Sequence, residues 1–230
     1  MVTEPSEWTE LLRRQAGPRT GLHVTDLLAC PRKKAGLEAG WPVQLDRLED
    51  RLLGSIAHSA LATVNPESAE IPVVFGFAGL QIVGSIDRLV DGRVIDYKRP
   101  GEEDRERGKK ARKPDGPYPE QVWQAEMYRF GLAQMDSQTD GWTIWIRESG
   151  RWVGFEHTGD GWTEAELLDF RPSGSAMTVR DVTDFYKNLG PDTRAEDYQL
   201  TGLTMKVGNK MACDYCEIQE ACMVRAGKAF

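Results

Sequence analysis

The stretch VGSIDRLVDGRVIDYKRP, from Val83 to Pro100, places an acidic residue inside each of two strand-like runs. Asp87 lies in GSIDRLV, and Asp96 lies in VIDYK, two residues before Lys98. The dipeptide Asp91-Gly92 between the runs is typical of a tight hairpin turn. Charged side chains are rarely buried in a sheet unless they are paired or bound to another group. The hairpin therefore predicts a structural ion pair or a site that binds a ligand.

Helical and strand-like patterns lie on both sides of this hairpin. The ranges with helical spacing of apolar residues are 45–64, 119–135 and 176–189. The strand-like ranges are 71–78, 80–90, 93–99, 142–148 and 151–157. This order predicts an α/β fold in which a mixed central β-sheet is flanked by helices.

The composition is that of an ordinary globular chain. Of 230 residues, 40% are hydrophobic and 28% are charged, which is enough to bury one sizeable core. The net charge of −7 argues against a surface that is positive throughout, but it is compatible with a local basic cleft. The polar start MVTEPSEWTELLRRQ lacks the apolar segment of a signal peptide, and the uncharged run Ile71–Gly84 is too short to cross a bilayer. We therefore expect a soluble, cytoplasmic protein with no membrane partner.

The two acids and the lysine of the hairpin are predicted to converge. Side chains alternate along a strand, so Asp96 and Lys98 share one face, and Asp87 can lie beside them on a strand about 4.8 Å away. Two adjacent carboxylates repel each other, and a divalent cation such as Mg²⁺ or Mn²⁺ would relieve that repulsion. A neighbouring lysine could orient or deprotonate a water. A buried Asp–Lys pair that only stabilises the sheet is the alternative.

Three further polar residues flank the sheet. His58 lies on the helix before it, while Gln124 and Tyr128 lie four residues apart on the helix after it. Each of these is, by itself, typical of packing. Taken in order with the hairpin acids, they give a sequence that resembles the PD-(D/E)xK nuclease superfamily in its RecB-like branch. The matching residues are Gly54 and His58, Gly84 and Asp87, Asp96 and Lys98, Gln124 and Tyr128.

This resemblance implies a divalent-metal-dependent DNA exonuclease that hydrolyses phosphodiester bonds on a restriction-endonuclease-like core. It implies metal ligands from His58, Asp87, Asp96 and the backbone carbonyl of Tyr97. It further implies that Lys98 acts on the attacking water. Gln124 and Tyr128 would organise the site and contact the DNA backbone.

The four cysteines suggest a second metal group. Cys213, Cys216 and Cys222 form a tail cluster, and Cys30 lies far upstream. In a reducing compartment such thiols indicate metal ligation more than disulfides. A [4Fe–4S] cluster needs four thiolates, and the chain offers four. A zinc site or ordinary buried cysteines are the alternatives.

The cysteine arrangement also resembles that of bacterial AddB-type nucleases and of the CRISPR-associated iron–sulfur exonucleases, a family of antiviral defence. The resemblance runs from Thr25 to Cys222. It implies a [4Fe–4S] cluster that ties the beginning of the fold to its end. The chain would then divide into an N-terminal helical segment with the first cysteine, 1–44, a nuclease core, 45–190, and a cysteine-rich segment, 191–230.

Basic and aromatic residues suggest where DNA would lie. The range 98–113 contains eight basic and four acidic residues, and PRKK places Arg32, Lys33 and Lys34 after Cys30. Trp123 and Tyr118 could stack on unpaired bases. A solvated surface is the alternative for the charges. We expect single-stranded DNA or DNA ends as substrate, with a CRISPR integrase or a recombination protein as a possible partner; a DNA-binding adaptor with little activity of its own is the competing function.

Overall fold

A computed structural model describes residues 10–12, 20–64, 66–98, 116–148, 151–173, 175, 177–189, 206–207, 210–211 and 216–225. Its strands are β1 (Leu22–His23), β2 (Ala69–Phe77), β3 (Leu80–Val90), β4 (Arg93–Lys98), β5 (Gly141–Glu148), β6 (Arg151–Thr158), β7 (Lys206–Val207) and β8 (Lys210–Met211). Its α-helices are α1 (Pro31–Glu38), α2 (Glu49–Ala62), α3 (Pro119–Gln134), α4 (Glu164–Asp169), α5 (Val179–Lys187) and α6 (Gln219–Arg225). Short 3₁₀ turns cover Val24–Leu28, Leu45–Leu48 and Pro66–Ser68.

The predicted mixed central sheet is confirmed. Six strands form it in the order β1-β3-β4-β5-β6, with β2 paired to β3. The β1–β3 and β4–β5 pairs are parallel, and the other three pairs are antiparallel. Because parallel neighbours cannot be joined by a tight turn, the connection from β4 to β5 passes through α3. This crossover packs α3 against the sheet.

Strand β3 has two neighbours along the edge that faces away from β2. Only Arg88–Val90 pair with β4, while Ile82 and Val83 pair with β1. Strands β3 and β4 therefore separate just beyond Arg88, and Asp87 lies at the point of separation. We call this separation of β3 and β4 the fork. Within it, backbone groups of β4 are available for hydrogen bonds to side chains.

The main core lies between the sheet and α3. Its largest fully buried members include Trp123, Met127, Phe77, Ile82 and Ile144. Two glycines permit the close contact: a Cβ on Gly84 would lie 2.7 Å from the Tyr128 ring, and one on Gly131 would overlap the ring of Phe75. The helix is thus held at a distance that only glycine allows at these positions.

A buried ion pair anchors the middle of α3. Glu126 and Arg129 are 1% and 4% exposed, and Glu126 Oε1 lies 3.2 Å from Arg129 Nη1. The same carboxylate accepts hydrogen bonds from Trp142 Nε1 at 2.7 Å and from the backbone N–H of Trp162 at 3.2 Å. Because a buried charge is tolerated only when it is paired and hydrogen-bonded, this set of bonds fixes the rotation of α3 about its axis.

Elements from the two ends of the described chain pack on each other. Ala35 and Trp41, which belong to α1 and the residues after it, share a small core with Ile218, Ala221 and Cys222. The guanidinium groups of Arg32 and Arg225 lie 5.4 Å and 4.8 Å from the centre of the Trp41 ring. The division into three segments at 44 and 190 remains a prediction. No helix within the described ranges is long and apolar enough to cross a membrane.

Several short elements were not predicted. Helix α1 and strand β1 lack a clear apolar period, and α4 has only six residues. The start of α4 does carry a readable signal, because Thr163 and Glu166 form a capping box. The 3₁₀ turn that begins at Val24 is capped by its own third residue, because Asp26 accepts a hydrogen bond from the N–H of His23 at 2.9 Å.

Two glycine-to-alanine variants test the packing of α3. We expect Gly131→Ala to lower the free energy of unfolding by about 1–3 kcal/mol, because the new methyl group overlaps Phe75. The matched change Gly54→Ala in α2 meets no atom within 4 Å, so it should raise stability by about 0.5–1 kcal/mol. Urea unfolding measures both, and equal effects of the two changes would contradict this packing.

Candidate metal centre

His58 connects α2 to the fork. Its Nε2 donates to the carbonyl oxygen of Tyr97 at 2.8 Å, and its Nδ1 lies 3.2 Å from Asp87 Oδ1. The hydrogen bond to Asp87 raises the pKa of His58, while partial burial of the ring opposes that rise. Both ring nitrogens therefore contact residues, Tyr97 and Asp87, that were predicted to belong to the same site as His58.

Asp87 fills the gap that opens between β3 and β4. Its Oδ2 accepts a hydrogen bond from the backbone N–H of Tyr97 at 2.7 Å. That bond replaces the strand-to-strand bond that the fork removes. The residue Tyr97 is thus held from both sides, with its N–H on Asp87 and its carbonyl on His58.

Asp96 is a buried carboxylate with an unused oxygen. The residue is 3% exposed, and its Oδ1 lies 2.9 Å from Lys98 Nζ. Its Oδ2 has no hydrogen-bond partner among the described residues. Burial raises the pKa of Asp96, the Lys98 charge opposes that rise, and the Asp87 charge adds to it. A buried acceptor of this kind is costly unless a cation or a donor occupies the space beside it.

Gln124 and Tyr128 form a chain of hydrogen bonds behind Lys98. Lys98 Nζ donates to Gln124 Oε1 at 2.9 Å, and Gln124 Nε2 donates to the Tyr128 hydroxyl at 3.2 Å. The Lys98 amine is therefore aimed by Asp96 and Gln124 together. Tyr128 is only 5% exposed, so it lies behind Gln124, away from the surface where DNA backbone contact was expected.

Glu70 is a candidate ligand that the sequence patterns missed. The β2–β3 register pairs Ala69 with Arg88 and Ile71 with Ile86, which places Glu70 opposite Asp87. One oxygen of each carboxylate and one ring nitrogen of His58 all lie within 4.8 Å of each other. Only the register of β2 on β3 could have revealed this, because Glu70 belongs to no recognisable motif.

The predicted site residues, together with Glu70, therefore fall into two adjoining sets. His58, Glu70 and Asp87 form the compact set, and Asp96 is joined to Lys98 and Gln124 in the other. Asp96 does not belong to the compact set, but its charge interacts with those of Asp87 and His58. The residue Tyr97 links the two, since its backbone holds His58 and Asp87 and it lies between Asp96 and Lys98 in the chain.

Three of the four cysteines lie in the described residues, and Cys213 lies outside them. Cys30 precedes α1 directly. The pKa of Cys216 is raised to about 12 and that of Cys222 is raised as well, with burial as the largest cause for both. Within the described ranges, no three cysteine sulfurs lie within 4.8 Å of one another. A four-iron cluster is larger than a single ion, so its ligands stand further apart than in a compact ion site.

Two expectations about DNA contact are wrong for the described residues. Trp123 is 0% exposed and donates through Nε1 to the Leu167 carbonyl, so it cannot stack on a base. In PRKK, Lys33 pairs with Glu217 at 2.9 Å, and Lys34 pairs with Glu38 at 2.8 Å. These side chains do not form the basic patch expected there. Tyr118 precedes α3 as its N-cap, and the basic range 99–113 lies outside the described residues.

Comparison with known proteins agrees with this geometry. The family model of the PD-(D/E)XK nuclease superfamily matches residues 13–223. The crystal structure of SSO0001 shares the fold, with a TM-score of 0.53 and 16% identity over 81% of this chain and 88% of that chain. A search of curated proteins finds no match. The chain therefore belongs to the PD-(D/E)XK nuclease superfamily.

Proposed function

We propose that this protein is a DNA exonuclease that hydrolyses phosphodiester bonds with Mg²⁺ or Mn²⁺ and acts on single strands or DNA ends. The observation that carries the proposal is the unpartnered, buried Oδ2 of Asp96 beside the His58–Asp87 pair. Membership of the PD-(D/E)XK nuclease superfamily supports the general activity, that of a metal-dependent nuclease. Cleavage from ends and preference for single strands belong to the proposal alone.

The residues present fit a divalent cation. Carboxylate oxygens and an imidazole nitrogen are donors that Mn²⁺ accepts, and carboxylates suit Mg²⁺. Asp87, Asp96, His58 and the Tyr97 carbonyl would hold the ion, and Glu70 adds one more carboxylate within reach. A divalent ion supplies Lewis acidity and makes a bound water a stronger nucleophile.

Lys98 is the residue best placed to assist the attack. Asp96 and Gln124 each hold its amine at 2.9 Å, so the ammonium is fixed in direction. A fixed cation can orient a water through hydrogen bonds and can balance negative charge on a phosphate oxygen. Tyr128 supports Gln124 and so acts through position, without touching the reacting atoms.

Digestion of end-labelled DNA with Mg²⁺ or Mn²⁺ tests the activity. We expect Lys98→Ala and Asp96→Ala to lower the rate by about 100-fold or more, since the first removes the cation that orients the reacting water and the second removes a carboxylate that would hold the ion. The control Lys187→Ala removes a surface lysine that pairs with Asp184 on α5 and should keep full activity.

The products and substrates decide the finer points of the proposal. An exonuclease degrades linear single strands and leaves circular single-stranded DNA intact. Cutting of the circle would make the exonuclease assignment wrong. Unchanged metal-dependent cleavage in both site variants would show that the site has been assigned to the wrong residues. DNA binding without cleavage by the unaltered protein would favour the adaptor function.

A metal titration tests the ligand set independently of cleavage. Without metal, Asp96→Asn should raise the free energy of unfolding by about 1 kcal/mol, because it removes a buried carboxylate whose Oδ2 is unpartnered. Mn²⁺ at about 100 times its dissociation constant should stabilise the unaltered protein by about 2.7 kcal/mol. Asp96→Asn and Glu70→Gln should both gain less.

The surface change Asp160→Asn serves as the control in this titration and should gain as much from Mn²⁺ as the unaltered protein does. If Mn²⁺ stabilises all four proteins equally, the ion binds elsewhere. If only Glu70→Gln behaves like the control, Glu70 is not a ligand and the rest of the set stands.

We also propose that Cys30, Cys213, Cys216 and Cys222 hold a structural [4Fe–4S] cluster. The support is the core that α1 shares with α6: Cys222 belongs to it, Cys216 packs against it, and Cys30 directly precedes α1. The CRISPR-associated setting and an integrase partner rest on the cysteine arrangement alone. Thiolates of this kind also suit zinc, so metal analysis must distinguish the two.

Anaerobic purification followed by iron, sulfide and zinc analysis tests the cluster. We expect iron and sulfide in equal amounts, with loss of both and a lower melting temperature in Cys30→Ser, because a staple between distant segments then disappears. A colourless protein that contains zinc, or one that contains no metal and melts unchanged as Cys30→Ser, would overturn the cluster.

A further inference from the structure

The face of the sheet opposite α3 carries an open groove next to the metal centre. Its volume is about 490 Å³, within the range of small-molecule sites. The aromatic side chains of Tyr97, Trp145 and Trp152 line it, together with Leu61 of α2. Strand register places the rings on one face, since Tyr97 is the partner of Trp145 and Trp152 is the partner of Arg147.

The groove shares two elements with the metal centre. The backbone of Tyr97 contacts His58 and Asp87, whereas its ring enters the groove on the other face of β4. Leu61 lies one helical turn after His58 on α2. The groove and the metal centre therefore adjoin each other across β4 at Tyr97.

The shape of the groove suits a flat ring. The rings of Tyr97 and Trp152 meet edge to face, with centroids 5.8 Å apart. The Trp145 indole lies close over β6 because Gly154 has no side chain; a Cβ there would lie 2.9 Å from the ring. Trp152 is 36% exposed, so one of the rings is open to a ligand from solvent.

The charge at the groove complements a phosphate chain. Arg88 lines it, and within the described residues its hydrogen bonds go to the hydroxyls of Ser68 and Tyr97, without a carboxylate partner. Arg147 lies over the Trp152 ring at 5.6 Å. The net charge of the chain is −7, yet these two guanidinium groups lie beside the aromatic rings, which matches the pairing of bases with aromatics and phosphates with cations in single-strand binding.

We propose that this groove binds an unpaired nucleobase of the DNA strand that is cut at the metal centre. The inference rests on the proposed function and names the site that would select single strands, because bases inside a duplex are stacked and paired and cannot enter the groove. Trp152 is the ring that the base stacks on. The groove is then a specificity-determining site for single strands and frayed ends.

Fluorescence anisotropy in EDTA tests the groove without cleavage. The probes are a labelled oligothymidylate and an abasic oligomer of the same length. We expect Trp152→Ala to weaken oligothymidylate binding about 5- to 150-fold, the range expected for loss of one stacking ring. Abasic binding should not change. Trp152→Phe, which keeps a ring, should retain most of the affinity, and Met135→Ala, an exposed apolar change on another surface, should have no effect.

Three results would contradict base binding in the groove. In the first, Trp152→Ala binds oligothymidylate as tightly as the unaltered protein, and in the second, it loses affinity for both probes equally. In the third, the unaltered protein does not distinguish the two probes because another segment fills the groove. A parallel digestion with Mn²⁺ separates the two proposals. Cleavage together with any of these results defeats the groove alone, whereas a protein that neither binds nor cleaves DNA defeats the proposed function as well.

Discussion

The residue Tyr97 is the constraint on which the candidate site depends. Strand β4 must leave β3 beyond Arg88, and the freed N–H and carbonyl of Tyr97 need partners. Asp87 and His58 supply them at 2.7 Å and 2.8 Å. One requirement of backbone hydrogen bonding thus brings an acid from β3 and an imidazole from α2 to the same place. Asp96 and Lys98 flank Tyr97 in β4, so their side chains are brought to the same place.

This arrangement leaves Asp96 with a buried, unpartnered oxygen, which lowers the stability of the folded protein. The packing of α3 on the sheet offsets that loss. The Glu126–Arg129 pair and the glycine contacts hold α3 in one orientation, which keeps Gln124 against Lys98. The position of Gln124 at the site thus depends on the Glu126–Arg129 pair and on the glycine contacts of the same helix. A strained or unsatisfied group at a site, supported by a rigid scaffold, is what catalytic centres commonly show.

Strong local patterns made much of this predictable. Asp91-Gly92 fixed the β3–β4 hairpin, and the spacing of Asp96 and Lys98 on one strand put them on one face, as the 2.9 Å contact confirms. The order of His58 before the sheet and Gln124 after it was informative because α2 and α3 both reach β4. These predictions required only the alternation of side chains along a strand, the residue preferences of tight turns and the order of the elements along the chain.

Features that depend on register or on burial could not be predicted. Glu70 faces Asp87 only because of how β2 pairs with β3, and the burial of Trp123 follows from the packing of α3 on the sheet. Lys33 pairs with Glu217, which lies far along the chain and which no local pattern assigns to it, whereas the Lys34–Glu38 pair follows the ordinary spacing of four residues within α1. The groove rings come from β4, β5 and β6, which meet only after the sheet has formed.

The small core around Trp41 bears on how the chain tolerates shortening. Its indole is covered by arginines from α1 and from α6 and packs beside Ile218. A chain cut ahead of Cys216 would keep the whole sheet and yet uncover a broad aromatic surface near its amino end. Such a surface invites self-association, so α6 shields the apolar side of α1 and of Trp41 from contact with other molecules.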